Sequence, residues 1–262
     1  MNNSNKATKR QQEIRRLLVS SDFCTVEDLG LQLGASAATI RNDLALLEAQ
    51  GVIKRIRGGA ISTDSTPRES ALGLRNALCR SEKGAIADHV AAQLVTDGMV
   101  LALDAGSTGR LIAAALARTG RRCTVITNSL VAAHELAKSK AITMYLAAGR
   151  YDDELGAFHD EQTARDMQGL LSDCYFLSPD AIDAQGRVTD NGTDEHFVKT
   201  ALIAQTKQVV VVADHTKLGR TTVKQLYDLT AAGRLVTDDQ AAAELIDGYR
   251  GLGITVDVVT RS

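Results

Sequence analysis

Cysteine is sparse in this chain of 262 residues and never closely paired: Cys24, Cys79, Cys123 and Cys174 stand far apart. Without a Cys-x-x-Cys pair there is neither a zinc ribbon nor a dithiol motif. The thiols are expected to be reduced and mostly buried, and no metal site is expected. Long apolar runs are missing as well. The first ten residues are polar, and no segment reaches membrane-spanning length without charge, so a cytoplasmic protein with no membrane partner is expected. There is no Gly-x-x-x-x-Gly-Lys-Ser/Thr, which excludes a nucleotide P-loop. Internal repeats are absent, and no cofactor is expected.

With 44% hydrophobic residues the chain can bury a sizeable core, as one large domain or two smaller ones. Its net charge is only −2, but the charge is unevenly spread. Residues 1–60 carry nine Lys/Arg against six Asp/Glu, an excess of +3, and the remainder carries 21 against 26, or −5. The basic excess falls on the segment with the strongest local pattern.

That pattern begins at Ser36, a small polar residue of the kind that accepts a bond from the free backbone N–H groups of a helix start. After it, Ala37, Ile40, Leu44 and Leu47 recur at intervals of three and four, one apolar stripe on a helix over 37–49, and Gly51 stands where helices commonly end. Ala38, Arg41 and Asn42 face away from the stripe, with Thr39 beside them. Upstream, Thr25 and Asp28 read as a cap and its acidic partner, opening a short helix whose Val26, Leu29 and Leu33 point inward. Gly34 permits the tight turn between the two helices. Ile14, Leu17 and Leu18 mark an earlier helix on the basic segment 9–16. Past Gly51, Val52, Ile53 and Ile56 alternate with Lys54, Arg55 and Arg57 as a strand, and Gly58 and Gly59 allow a hairpin reversal to Ala60 and Ile61.

A helix-turn-helix followed by a basic wing is a DNA-reading device. In such modules the start of the second helix meets base edges, and basic hairpins hold phosphates. Ser36, Ala38, Thr39, Arg41, Asn42, Lys54, Arg55 and Arg57 are the candidate DNA-binding residues. For Asp43 a carboxylate facing phosphates would be repelled, so pairing with a nearby basic residue is expected. A module this weakly basic binds poorly alone, since phosphate neutralisation supplies much of nucleic-acid affinity; dimerisation would help.

These residues resemble the N-terminal signature of the DeoR family of bacterial transcription regulators. Arg10, Ile14, Leu18, Ser36 and the block Thr39, Ile40, Arg41, Asn42, Asp43, Leu44 fit its pattern. Ile56 and Arg57 depart slightly from the usual Arg-x-His-Gly-Gly-Ala ending.

The chain turns polar over 62–69, around Pro67, which reads as a linker. The expected organisation is a winged helix-turn-helix over 1–61, a linker over 62–80 and an α/β domain over 81–262. In the last, apolar runs at 100–103, 123–126, 142–146, 175–177, 209–213 and 254–258 alternate with helical stretches at 109–117, 130–137 and 195–205, the rhythm of a parallel sheet wrapped by helices. Ligands of such sheets bind at the carboxyl ends of the strands, where the polar signals sit. Asp104, Gly106, Ser107 and Thr108 follow the first run, Asn128 and Ser129 the second, and Asp214 to Lys217 the fifth. Gly106 lets backbone approach a ligand, Ser107 and Thr108 offer hydroxyls, and a helix N-terminus favours an anion such as phosphate. Lys217 supplies a full positive charge.

This half resembles the effector domain of the same family, which is similar to phosphosugar isomerases. The resemblance implies an α/β protein in which the winged helix-turn-helix is followed by a larger Rossmann-like, sugar-phosphate-sensing domain. Asp104, Gly106, Ser107, Thr108, Asn128, Ser129 and Lys217 are then the effector-binding residues. Glu195 and Lys199, and Arg75 and Lys83, also look like recurrent family features. Ser178, Pro179 and Ala181 replace a glycine-rich segment of relatives; they are expected to restrict the backbone near the pocket, and Pro179 lacks a donor.

The implied function is a repressor of carbohydrate genes, not an enzyme and with no catalytic residues. It would act as a homodimer or homotetramer on double-stranded operator DNA, its affinity set by a phosphorylated sugar. Two alternatives stand beside it. Asp180, Asp183 and Glu195 offer carboxylates suited to proton transfer, as in a sugar-phosphate isomerase with an accessory DNA module. Or the second domain is an oligomerisation scaffold that binds no effector.

Overall fold

The chain divides into two units, Met1–Leu78 and Cys79–Ser262. The computed structural model describes residues 2–20, 24–56, 59–62, 76, 78–153, 155–192, 195–231 and 233–260. Arg57, and residues 63–75 and 77 of the expected linker with Pro67 and Arg75 among them, lie outside the described residues.

The first unit is built on α1 (Asn2–Ser20), β1 (Cys24–Thr25), α2 (Val26–Leu33), α3 (Ala37–Ala49), β2 (Ile53–Ile56) and β3 (Gly59–Ser62). Both predicted caps form: Thr25 accepts from the backbone N–H of Asp28, and Ser36 from that of Thr39. Gly34 closes the turn between α2 and α3 in the left-handed region, with φ 59°. The stripe on α3 is buried at Ile40, Leu44 and Leu47, where it packs with Ile14, Leu18, Leu29 and Ile53. Ala37, assigned to the stripe by spacing alone, is exposed; it opens the helix, a turn short of the core. β2 and β3 pair antiparallel, Ile53 opposite Ser62 through Ile56 opposite Gly59, as the wing requires. The two-residue β1 adds a third strand against β3, which sequence patterning did not reveal.

The second unit opens with α4 (Arg80–His89), continued by a π-helical turn Val90–Leu94. There follow β4 (Val100–Leu103), α5 (Ser107–Thr119), β5 (Cys123–Thr127), α6 (Leu130–Leu136), β6 (Ile142–Leu146), the small hairpin β7 (Tyr151–Asp152) and β8 (Ala157–Phe158), α7 (Glu161–Met167) and β9 (Ser172–Leu177). Then come β10 (Ala181–Ile182), β11 (Arg187–Asp190), α8 (Glu195–Ala204), β12 (Thr206–Val212), β13 (Lys224–Asp228), β14 (Arg234–Asp238), α9 (Ala243–Gly251) and β15 (Thr255–Val259). Seven strands form one parallel sheet in the order β15-β14-β12-β9-β4-β5-β6. All six predicted strands are in it; β14 is the seventh. A separate antiparallel sheet joins β10, β11 and β13.

Successive strand residues point to opposite faces, and on the central strands β4, β9 and β12 both faces are covered, so these read as continuous apolar runs. Leu101, Leu103, Phe176, Val210 and Val212 pack with Ile86, Ile112 and Leu116 of α4 and α5. Ala102, Tyr175, Leu177, Val209 and Val211 pack with Met167, Val198, Leu202 and Tyr249 of α7, α8 and α9. The chain runs outward one way from β4 through β5 to β6, then returns to β9 and runs the other way. Neighbouring β4 and β9 therefore form the topological switch point, where connections leave in opposite directions and where ligands of such sheets generally bind.

Candidate DNA interface and sensor site

On α3 the outward face is Ala38, Arg41 and Asn42, all exposed, with Thr39 half-buried beside them. Ser36 is exposed, but its hydroxyl is committed to the cap and lies 2.9 Å from the Thr39 hydroxyl. Lys54 and Arg55 are exposed on β2. Arg55 is tied back to α3: its backbone N–H donates to Glu48 Oε1 at 2.8 Å, and its guanidinium lies 3.9 Å from Glu48 Oε2. Asp43 turns inward and is only 4% exposed. It meets Arg10 Nε at 2.5 Å and Gln11 Nε2 at 2.9 Å, the basic partner expected for it, and so fastens α1 to the back of the reading helix.

The second unit gathers its charges at the switch point. Asp104, immediately after β4, accepts from its neighbour Ala105 N–H and, across the switch point, from Ser178 N–H after β9, each at 2.9 Å. Lys199 on α8 is 4% exposed. Its Nζ lies 2.6 Å from Asp190, 3.3 Å from Glu195 and 3.6 Å from Asp104, and donates to the Ser178 carbonyl at 3.1 Å. Burial alone would lower the Lys199 pKa, but the three carboxylates outweigh it and hold the ammonium well above its ordinary range. Burial pushes the Asp104 carboxyl up to about 7, against the pull of Lys199. Beneath them, burial and the nearby Asp104 hold the Tyr175 phenol well above its usual range.

The Ser178–Ala181 segment is part of this construction. Pro179 has no N–H to lose here; its carbonyl accepts from Lys217 Nζ at 2.5 Å. Asp180 N–H donates to Asp190 at 2.8 Å. Among the described non-glycine residues only Cys79 has a left-handed backbone, so Ser178 and Ala181 occupy conformations that need no glycine.

Gly106 does need its freedom: at φ 111° it turns the chain from β4 into α5, and no side chain caps that helix. Ser107 is half-buried there. Thr108 is 1% exposed, and its Oγ1 has no hydrogen-bond partner among the described residues. After β5, Asn128 Nδ2 donates to the Phe158 carbonyl at 2.9 Å while its buried Oδ1 is likewise without a partner among the described residues. Ser129, fully buried, spends its hydroxyl capping α6 through Ala132 N–H. Lys217 is half-buried. Burial lowers its pKa, only partly offset by Asp214.

The family model of the DeoR C terminal sensor domain matches residues 79–239, and that of the DeoR-like helix-turn-helix domain matches residues 10–66. The chain belongs to the DeoR family of transcriptional regulators. It is 32% identical over 248 residues to the HTH-type transcriptional regulator GlpR of Haloferax volcanii, covering 95% of this chain and 96% of that protein. It is 32% identical over 234 residues to the glycerol-3-phosphate regulon repressor of Haemophilus influenzae, covering 89% and 90%. With the HTH-type transcriptional repressor GlcR of Bacillus subtilis it shares 33% identity over 241 residues, covering 88% and 92%.

In this DeoR-family chain the first unit is therefore the DNA-binding domain and the second the sensor. The carboxylates that might have served an isomerase do other things in the structure. Asp183 accepts from Gln185 N–H, Arg187 N–H and Arg187 Nε within one turn, and Asp180 is exposed and bonded to Asn191. Sequence reasoning missed the central part of Lys199 and Asp190 and the use of the Ser178 and Pro179 carbonyls. The Glu195–Lys199 spacing was the available signal. Among the described residues no helix is long and apolar enough to cross a membrane.

Proposed function

We propose that this regulator is a cytoplasmic repressor of carbohydrate or glycerol-phosphate genes, and that a phosphorylated sugar or related polyol phosphate binds its sensor and lowers its affinity for operator DNA. The observation that carries the reading is the start of α5 at the switch point: an N-terminus without a side-chain cap, opened by Gly106, with the buried Thr108 hydroxyl unspent. Backbone N–H groups and the helix dipole there favour an anion. Asp104, Gly106, Ser107, Thr108, Asn128, Ser129 and Lys217 are the proposed effector residues, Asp104 and Ser129 by shaping the site.

On the DNA side, Arg41 and Asn42 read bases with Thr39 and Ala38 beside them, Ser36 sets the helix start, and Lys54, Arg55 and Arg57 hold phosphates. A homodimer or homotetramer would present paired reading helices to two half-sites and double the modest basic charge. Release requires that the ligand bind the DNA-free state more tightly than the DNA-bound one.

The test is fluorescence anisotropy of the full chain on its own upstream DNA, with and without a panel of aldose, ketose and glycerol phosphates. One phosphorylated ligand should weaken binding tenfold or more, and its unphosphorylated parent should not. If no member of the panel moves either DNA affinity or melting temperature, the sensor reading fails. Sustained aldose–ketose phosphate interconversion would favour the isomerase instead.

A further inference from the structure

Three of the four cysteines, Cys24, Cys123 and Cys174, are buried among apolar neighbours, where a thiol packs as a small hydrophobe. Cys79 is different. It is only half-buried and stands at the start of α4. The fold carries the loop after β12 to it, so that the Cys79 sulfur, a carboxylate oxygen of Asp214 and a ring nitrogen of His215 all lie within 4.8 Å of one another.

We propose that Cys79, Asp214 and His215 form a binding site for a zinc ion, with a fourth position open to water or a small solute. The donor set is a thiolate, an imidazole and a carboxylate, the mixture that tetrahedral zinc takes, and three protein ligands with one vacancy is the pattern of an accessible site. The imidazole is held in place by a buried carboxylate. Asp238, fully buried, lies 2.8 Å from His215 Nδ1 through Oδ1 and accepts the His215 backbone N–H through Oδ2 at 2.7 Å. With Nδ1 engaged by Asp238, Nε2 is the ring nitrogen left for a metal. Metal-bound histidines commonly donate their other N–H to such a carboxylate. Access is open as well, since Cys79 and His215 are half-buried and only Asp214 is fully enclosed.

Lys83 is the cation that now balances Asp214, with Nζ 3.8 Å from Oδ2. A zinc ion takes over that balance and repels the ammonium, so affinity falls below that of a closed Cys/His site. On binding, the thiol proton passes to solvent and the sulfur ligates as thiolate. The site borders the proposed effector site, since Asp214 caps the turn that carries Lys217, but metal binding is read out without any effector and does not depend on that reading.

The experiment titrates the full chain with Co²⁺ as a spectroscopic stand-in and then displaces it with Zn²⁺. One equivalent should give a thiolate-to-cobalt charge-transfer band that Zn²⁺ abolishes. Cys79→Ser should eliminate the band, and Asp238→Asn should weaken binding roughly 10- to 100-fold. Circular dichroism melts establish that the variants fold. A readout that needs no variant is alkylation of Cys79, followed by peptide mass spectrometry, which Zn²⁺ should suppress. No stoichiometric band, a band that survives in Cys79→Ser, or alkylation of Cys79 indifferent to Zn²⁺ would each overturn the site.

Discussion

The two units treat charge in opposite ways. In the DNA-binding domain the cations of the proposed interface, Arg41, Lys54 and Arg55, stand in solvent, and the described charge that is buried, Asp43, is fastened to Arg10. In the sensor, Asp104, Asp190, Lys199, Lys83 and Asp214 are all buried around one end of the sheet. A polyanion approached from solution is met by exposed cations that shed counterions cheaply. A small ligand enclosed by protein is met by groups already desolvated and held in place, and each of those must be paired to survive burial. Exposure is thus a requirement of the first task and pairing of the second.

The strongest way to break this contrast is Lys199→Met. Removing the ammonium leaves Asp104, Asp190 and Glu195 facing one another, and breaking a buried ion pair by deleting one partner costs about 3–5 kcal/mol. Urea unfolding should show that loss in the sensor transition, while the helical signal of the DNA-binding domain persists. A loss below about 1 kcal/mol, the scale of an exposed pair, would mean the cluster is solvated and the contrast false.

Next in size is a pH effect. Burial raises the folded Asp104 pKa from its ordinary 3.8 to about 7. Between those values the folded protein keeps a proton that the unfolded chain has released, so stability from this group is full below about 4 and is lost as pH rises through 7. Asp173 and Asp228 have lowered pKa values, chiefly through side-chain hydrogen bonds from Lys207 and Thr230. Their contribution is present above the ordinary carboxylate range and lost below it, so the two windows separate. Stability measured from pH 4.5 to 8 should fall more steeply in the wild type than in Asp104→Asn, by a few kcal/mol at about 1.4 kcal/mol per unit. Parallel profiles would show that Asp104 is ionised throughout.

How much of this could be read in the residues follows the same division. α3 was legible because a helix writes its periodicity locally: Ser36, Ile40, Leu44 and Leu47 fix its start and its buried face within twelve positions. The parallel strands were legible where both faces are apolar. β14 was not, because Leu235 and Val236 are flanked by Arg234, Thr237 and Asp238, and the last two are buried by the sheet itself. The loops of the proposed effector site stood out as small polar residues after strands. What joins them did not: Asp104 reaches Ser178, Lys199 reaches Asp190, and Cys79 meets Asp214 only once the sheet is assembled. Nor did Arg10 in the sequence reveal that it was the partner awaited by Asp43.

The smallest effects sharpen the contrast inside the DNA-binding domain. Arg41→Ala should cost about 1–3 kcal/mol on the operator and little on unrelated DNA, because a base contact carries discrimination. Lys54→Ala should weaken both alike and reduce the slope of log K against log salt by about 0.9, roughly a threefold difference across a fourfold change in salt. Arg55 should behave less strongly than Lys54 despite equal formal charge. Glu48 already sits against its guanidinium and backbone, so a phosphate gains only the charge that Glu48 leaves uncompensated. By the same reasoning Glu48→Gln should tighten non-specific binding and steepen the salt slope, an increase in affinity from removing a residue that touches no DNA. Anisotropy titrations at two salt concentrations separate these cases. If Arg55→Ala flattens the slope as much as Lys54→Ala and Glu48→Gln changes nothing, the Glu48 pairing is a solvent-screened contact with no hold on the wing.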